Sequence, residues 1–465
     1  MSTRLFRSLP FVLALLLPAR GARAETAAPG LPPGVTPLPA ASAKHLDDLL
    51  RAAEKYRGLK AKRAVPSGSL SAEALKQKVA ESMGKDYPPE ALKAMEVSLK
   101  AFGLIPETMD LRRYLPELLS SQVAGFYDPQ RKYLALVDLP GRQGSGSDQD
   151  MTLVHELTHA LQDQSFDLHR FEGGDPMADG GTAREALVEG DATLTMLDFT
   201  AQAKLEIMPG AGALVDRMMQ DPETLVTSSP DLPGAREMSA APVWLRDTLL
   251  FSYLQGAAFC MDVKRRGGQK LLDYAFTDDP PRSTEQILHP GKWYGRRDDP
   301  VVLHLPDLAG ELPGYRKAAE GEMGELSMRI FLREGLKNAE RGSAAAMGWG
   351  GDRFAVYEKD GGRLIVWVTE WDTDADAGEF RSALEGLSGW RVEPAGPTRV
   401  LAVRGNLPDG LWAGVRARLA AVIAERPANK DIDLKAIGAA PMRPEAPERG
   451  GLTPRPAAPS PAGGR

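Results

Sequence analysis

The sequence predicts an α+β protein: a mainly helical body carrying a small β-hairpin or sheet, followed by a smaller α+β unit. Three observations carry this. Apolar residues recur at helical spacing in long stretches up to about residue 338. Two short strand-like runs flank Asp128-Pro129. After Met347-Gly348-Trp349-Gly350-Gly351 the pattern changes to short strands alternating with helices. At 465 residues the chain is long enough for two or three domains of roughly 100–200 residues each. Its 43% hydrophobic and 26% charged residues exclude wholesale disorder and a fibrous fold.

In chain order, residues 1–24 read as a secretory signal peptide. Arg4 and Arg7 form the charged start, Leu9 to Leu17 is apolar apart from Pro10, and Ala22-Arg23-Ala24 fits the small-x-small cleavage rule. That run is shorter than the roughly 20 residues needed to span a bilayer, so the protein is expected to be exported, periplasmic or extracellular, without a stable membrane span. Residues 25–110 form a helical N-terminal lobe or a pro-segment, with helices expected at 43–60, 71–83 and, after Pro88-Pro89, 88–103. Residues 111–345 form the main body. In it, Asp128-Pro129 favours a type I turn joining two strands. Helices are expected at 150–164, 183–205, 243–263, 283–289 (with Ser283 and Gln286 at capping-box spacing) and 323–338. Residues 346–430 read as the small α+β unit. Residues 431–465 read as a disordered tail, because its Pro, Ala and Gly cannot build a core.

Charge and cysteine content narrow the chemistry. Against 63 acidic residues stand 57 Lys and Arg, a net charge of −6, which excludes the basic field that nucleic acid requires. The one cysteine, Cys260, lies in the apolar run Ala257-Ala258-Phe259-Cys260-Met261 and reads as core. A thiolate metal cluster is therefore excluded, and any imidazole site must draw on six histidines.

Two of the six stand in His155-Glu156-Leu157-Thr158-His159. Histidines four apart on a helix share a face, one turn apart, so both rings can reach one metal ion. Glu156 beside the first can act as general base toward an activated water. A catalytic zinc needs a third protein ligand. Gln162 and Ser165 stand where a metzincin would have glycine and histidine, which excludes that class. His169, in a Gly/Asp-rich loop, is a weak alternative. The next helix offers Glu185 and Glu189. Thr182 and Glu185 have capping-box spacing, giving Glu185 a local duty at the helix start, so Glu189 is the favoured ligand. Gly190, costly in mid-helix, marks close approach of another element. Asp163 and Asp191 could each accept a ring N–H or equally be solvated surface charges. His289 is the candidate donor to a developing oxyanion, with Tyr253 and Tyr294 as alternatives. The hairpin at 123–137 offers an edge for an extended substrate, or is plain scaffold.

These residues resemble the gluzincins, the thermolysin-like clan of zinc metallopeptidases. More narrowly, His155-Glu156-Leu157-Thr158-His159-Ala160-Leu161-Gln162-Asp163-Gln164 and Ala186-Leu187-Val188-Glu189-Gly190-Asp191-Ala192 are similar to a group of secreted or membrane-associated bacterial and archaeal proteins. So are Gly125-Phe126-Tyr127-Asp128-Pro129 and Ser283-Thr284-Glu285-Gln286-Ile287-Leu288-His289-Pro290. The resemblance spans about 115–295. It implies a zincin-like catalytic domain at 111–345, with Zn2+ held by His155, His159 and Glu189. The family's Glu-x-x-x-Asp pattern is absent: Glu185 is followed four on by Glu189, and Glu189 by Thr193, so Glu185 stays open as third ligand.

The expected activity is an exported zinc metallopeptidase that cleaves a protein or peptide substrate, with Glu156 as general base. The rival expectations are a zinc-stabilised binding or scaffold protein without catalysis, and a metallohydrolase acting on cell-wall amide bonds.

Overall fold

The structure is a computed structural model of the chain and describes residues 30–86, 88–122, 125–138, 146–171, 175–205 and 235–439. The expected signal peptide and the tail beyond residue 439 lie outside these residues. The fold is α+β, as the sequence predicts. Strand β1 (Thr36–Pro37) and helix α1 (Ala40–Arg57) come first, then β2 (Ser67–Ser71), α2 (Ala72–Asp86), α3 (Pro89–Phe102) and α4 (Leu111–Gln122). The hairpin is β3 (Gly125–Asp128) and β4 (Tyr133–Asp138). Two long helices follow, α5 (Gly146–Phe166) and α6 (Asp179–Ala201). Next are α7 (Ala235–Ala240), α8 (Val243–Thr277), α9 (Thr284–Leu288), α10 (Gly291–Tyr294) and β5 (Val302–His304). The last part comprises β6 (Arg316–Gly321), α11 (Gly324–Leu336), α12 (Ala339–Ala344), β7 (Trp349–Lys359), β8 (Gly362–Trp371), α13 (Asp374–Glu385), β9 (Trp390–Pro394), β10 (Arg399–Arg404), α14 (Asp409–Ala420) and β11 (Ile423–Glu425).

Local chemistry explains the boundaries. Pro89 takes the first turn of α3, where its missing N–H costs nothing. Gly58 ends α1 at φ 82°, a conformation that a Cβ would oppose. In the hairpin turn, the Asp128 carboxylate accepts the Gln130 and Arg131 N–H groups. Ser283 caps α9 by accepting from Gln286 N, as its spacing predicts. The reciprocal bond is displaced by one residue, because Gln286 Oε1 accepts from Arg282 N rather than from the cap residue.

Two features of the N-terminal region were not legible in the sequence. β2 pairs parallel with β4, so residues 67–71 are an inner strand of the sheet β1-β2-β4-β3. Leu46, Leu49 and Ala53 of α1 form one core cluster with Leu134 of β4 and with Leu153, Val154, Leu157 and Leu161 of α5. Helix α1 and strand β2 are thus built into the main body.

The C-terminal sheet, in order β6-β7-β8-β10-β9, is antiparallel. Its faces alternate along the strands. Phe354 and Trp367 turn toward Phe102 of α3 and Phe331 of α11. Val366, Val368, Leu401 and Val403 turn toward Val415 and Leu419 of α14. Two expected boundaries move. The unit begins at β6, near residue 316 rather than 346, since β6 pairs with β7. Residues 431–439 belong to the folded body and not to the tail: Ile432 is buried, and Leu434, Ile437 and Ala439 pack on the main core.

The tightest crossing lies between α6 and α8. A Cβ added to Gly190 would come within 2.0 Å of the Gly256 carbonyl carbon, and one on Gly256 within 2.0 Å of Ala186 O. Gly190 therefore marks a close approach, as expected from its cost in a helix. Gly190→Ala is predicted to destabilise the protein by roughly 1–3 kcal/mol, the usual range for overpacking. Denaturant unfolding measures it, and an unchanged midpoint would show that these helices do not touch.

Candidate metal centre

α5 carries His155, Glu156 and His159 on one face, while Leu153, Val154, Leu157 and Leu161 bury its other side against α1 and β4. α6 packs beside it and brings Glu189 to the same spot. His155 Nε2 lies 3.1 Å from Glu189 Oε2 and 3.0 Å from His159 Nε2, and His159 Nε2 lies 3.4 Å from the same carboxylate oxygen. All three side chains are at most 2% exposed. Two imidazole nitrogens and a carboxylate oxygen thus meet at nearly equal separations. A tetrahedral ion with ligands at about 2.0–2.1 Å has its donor atoms about 3.3 Å apart, so the group is one that can hold a metal ion.

The electrostatics of the bare group point the same way. Burial alone would raise the Glu189 carboxyl, but the facing His159 and His155 pull it down to about 2. Burial opposes charge on His159, yet Glu189 and Glu156 lift that ring to about 9. His155 moves the other way: burial lowers it, and only one positive charge is tolerated between two rings in contact.

Glu156 is fully buried. Its Oε2 accepts from the Tyr127 backbone N–H of β3 at 2.8 Å, and its Oε1 has no partner among the described residues. Burial pushes this carboxyl up to about 8, against the pull of His159.

The orienting groups differ from those expected. Neither Asp163 nor Asp191 touches a ring. His159 Nδ1 meets Gln162 Oε1 at 2.8 Å, and Gln162 Nε2 donates to Val188 O at 3.0 Å and to Asp191 Oδ2 at 2.8 Å. Gln162, read in the sequence only as ruling out another class, is thus a site residue; its place three residues after His159 is the signal that would have found it. Asp163 instead binds the hairpin, accepting from Tyr127 Oη and Lys132 Nζ at 2.8 Å each. His155 Nδ1 is buried without a partner among the described residues.

The remaining candidates are placed as follows. α6 begins at Asp179, so Thr182 lies inside the first turn and the capping role expected for Glu185 does not exist. The preference for Glu189 matches the geometry, but the argument for it fails. Glu185 sits one turn before Glu189 with its side chain exposed to solvent. The protein mass walling it and the Glu189 charge nonetheless raise its carboxyl to about 7. Tyr253 of α8 stacks on the His155 ring, centroids 5.9 Å apart, within hydrogen-bonding range of Glu189. Burial and the carboxylates of Glu189, Glu185 and Glu156 hold its phenol in the protonated form. His289 is placed elsewhere: it ends α9, with Nε2 3.0 Å from Glu325 Oε1. Tyr294 donates to Asp262. His169 is exposed on a short turn, and Cys260 is buried core. A second acidic cluster, Glu285, Asp298 and Asp372, already holds a cation of the chain's own, Lys292 Nζ, at 2.5–3.0 Å.

In comparison with known proteins, a domain of unknown function (DUF8575) matches residues 312–433. That span is the C-terminal α+β unit from β6 onward and contains none of His155, Glu156, His159 and Glu189. No curated protein and no solved structure matches the chain. Among the described residues no helix is long and apolar enough to cross a membrane.

A divalent transition-metal ion is expected to raise the melting temperature of metal-free protein, with a gain of about 2.7 kcal/mol at a hundred times its dissociation constant. His159→Ala and Glu189→Ala should each abolish the response. A melt indifferent to metal and chelator would disprove the assignment.

Proposed function

We propose that the chain is an exported zinc-dependent metallopeptidase of gluzincin type that hydrolyses peptide bonds. One observation carries the reading: His155 Nε2, His159 Nε2 and Glu189 Oε2 converge within 3.4 Å, with Glu156 next to the first of them. The residues fit zinc. The donors are two imidazoles and one carboxylate, a set typical of catalytic zinc, and both imidazoles face the gap through the same ring nitrogen. His155, His159 and Glu189 would hold the ion. When bound, it supplies Lewis acidity toward a scissile carbonyl and lowers the pKa of a water.

The chain's own groups do the rest. The β3 backbone fixes Glu156 by one oxygen and leaves the other free to take a proton from the attacking water. The carboxylic acid so formed can then deliver the proton to the departing amine nitrogen. Tyr253, kept protonated beside His155, is the better-placed donor to the developing oxyanion.

A second reading, a zinc-stabilised scaffold without catalysis, is favoured by one observation: all four central side chains are at most 2% exposed. One experiment separates the two. Glu156→Gln should retain zinc and lose cleavage of a denatured protein substrate by a factor on the order of 10²–10⁴. Wild-type protein that binds zinc yet cleaves neither polypeptide nor peptidoglycan would establish the scaffold. Undiminished cleavage by the variant would remove Glu156 from the mechanism.

A further inference from the structure

We propose that Arg57, the last residue of α1, is a positioning residue for the metal-ligand group. On this view residues 40–71 are a permanent part of the site and not a removable leader. The inference rests on the metal-site reading above. The Arg57 side chain is fully buried and donates from Nε to Asp191 Oδ2 at 2.5 Å and from a terminal nitrogen to Asp273 Oδ1 at 2.9 Å. The rings of Phe166 and Phe276 lie 5.6 and 5.5 Å from its guanidinium carbon, which leaves the group little freedom.

The same Asp191 oxygen accepts from Gln162, and this fixes a proton at the far end. Gln162 Nε2 faces two groups that only accept, Val188 O and Asp191 Oδ2, so it must be the amide nitrogen. Gln162 Oε1 is then an acceptor, and His159 Nδ1, 2.8 Å away, must carry the hydrogen. A neutral ring protonated at Nδ1 has its lone pair on Nε2, the atom that faces Glu189 and His155. Arg57 therefore holds the Asp191 side chain in place, Asp191 holds the amide, and the amide sets the tautomer and rotation of a metal ligand.

The segment after α1 is fastened to the same helix. Gln164 Oε1 accepts from Lys62 N and Arg63 N, and Gln164 Nε2 donates to Arg63 O. A leader cut away would leave Asp191 buried at 1% exposure with no cation beside it.

The test compares wild type, Arg57→Met and Gln162→Met. Zinc affinity is measured by competition with a chromophoric chelator, and stability by thermal unfolding of metal-free protein. Both variants should weaken zinc binding by about 10- to 100-fold, the usual loss when a group supporting a ligand is removed. Gln162→Met leaves the Arg57–Asp191 pair intact, so it reports the relay even where Arg57→Met does not fold. A lower melting temperature with unchanged zinc affinity in the folded variants would mean that the relay is only structural, and would overturn the proposal. So would active protein from which residues 40–71 have dissociated. Wild-type protein that binds no zinc would instead overturn the metal-site reading beneath it.

Discussion

The close contact of Gly190 with Gly256 sets the position of α6, and much else follows from that position. With no side chain on either residue, the backbones of α6 and α8 meet directly. The residue before the contact, Glu189, is thereby pressed toward α5. The residue after it, Asp191, turns to the Gln162 amide and the Arg57 guanidinium. Three consecutive positions thus do different things: one faces the two imidazoles, one permits the approach, and one holds the amide that meets His159. A larger residue at the middle position would push away the other two. This is why a glycine stands in the middle of a 23-residue helix, where it costs helix stability.

Around that crossing the interior contains many charges, and most are matched. Arg57 lies between Asp191 and Asp273, and Lys132 and Arg63 flank Asp163. Asp352 accepts from the Met323 and Gly324 N–H groups and from the indoles of Trp349 and Trp367. An unpaired buried charge would be prohibitive, and each of these instead joins elements distant in sequence. The group of His155, His159 and Glu189 differs. Its members face one another rather than separate partners, and two of them are alike in charge when protonated. Among the described residues Glu156 Oε1 and His155 Nδ1 are without partners in the same place. Buried polar atoms are usually satisfied, and such unmatched atoms also occur at Arg57 Nη2, Thr193 Oγ1 and Glu325 Oε2; what sets this group apart is that two imidazole nitrogens and a carboxylate oxygen converge.

The sequence revealed the site well where the chemistry is local and poorly where it is not. His155, Glu156 and His159 were legible because helical spacing alone puts them on one face. The hairpin was legible because Asp128-Pro129 specifies a turn. Glu189 was reached through Gly190, whose cost signals an approach, and through a capping argument that the true start of α6 at Asp179 removes. Gln162 and Arg57 were missed. Gln162 lies on the right face, but a glutamine carries no charge that would mark it out. Arg57 is 134 residues from Asp191, and no local pattern announces such a pair. The β2 strand was missed for a related reason. Ser67-Gly68-Ser69-Leu70-Ser71 has little strand propensity, and only its ladder to β4 makes it one.

The C-terminal unit lies outside the metal group, yet it is not independent of it. The first residue of α6, Asp179, accepts from Thr284 N and Thr284 Oγ1 at 2.7 Å each, and the Thr284 hydroxyl accepts from Leu326 N of α11. Asp179 N in turn donates to Glu322, just after β6. Gly324 leaves room for the Asp179 carboxylate, since a Cβ there would fall 1.7 Å from its oxygen. Lys292 joins Glu285 of α9 to Asp372 after β8. The helix that carries Glu189 is therefore held at its start by the C-terminal unit and at its middle by α1 and α8. A ligand helix gripped at both places cannot rotate without breaking buried hydrogen bonds at one of them. A group that could hold a metal ion needs rigid support to do so, and here the support comes from α1 on one side and the C-terminal unit on the other, which is a physical reason for the two flanking regions to be folded into one body with the helices between them.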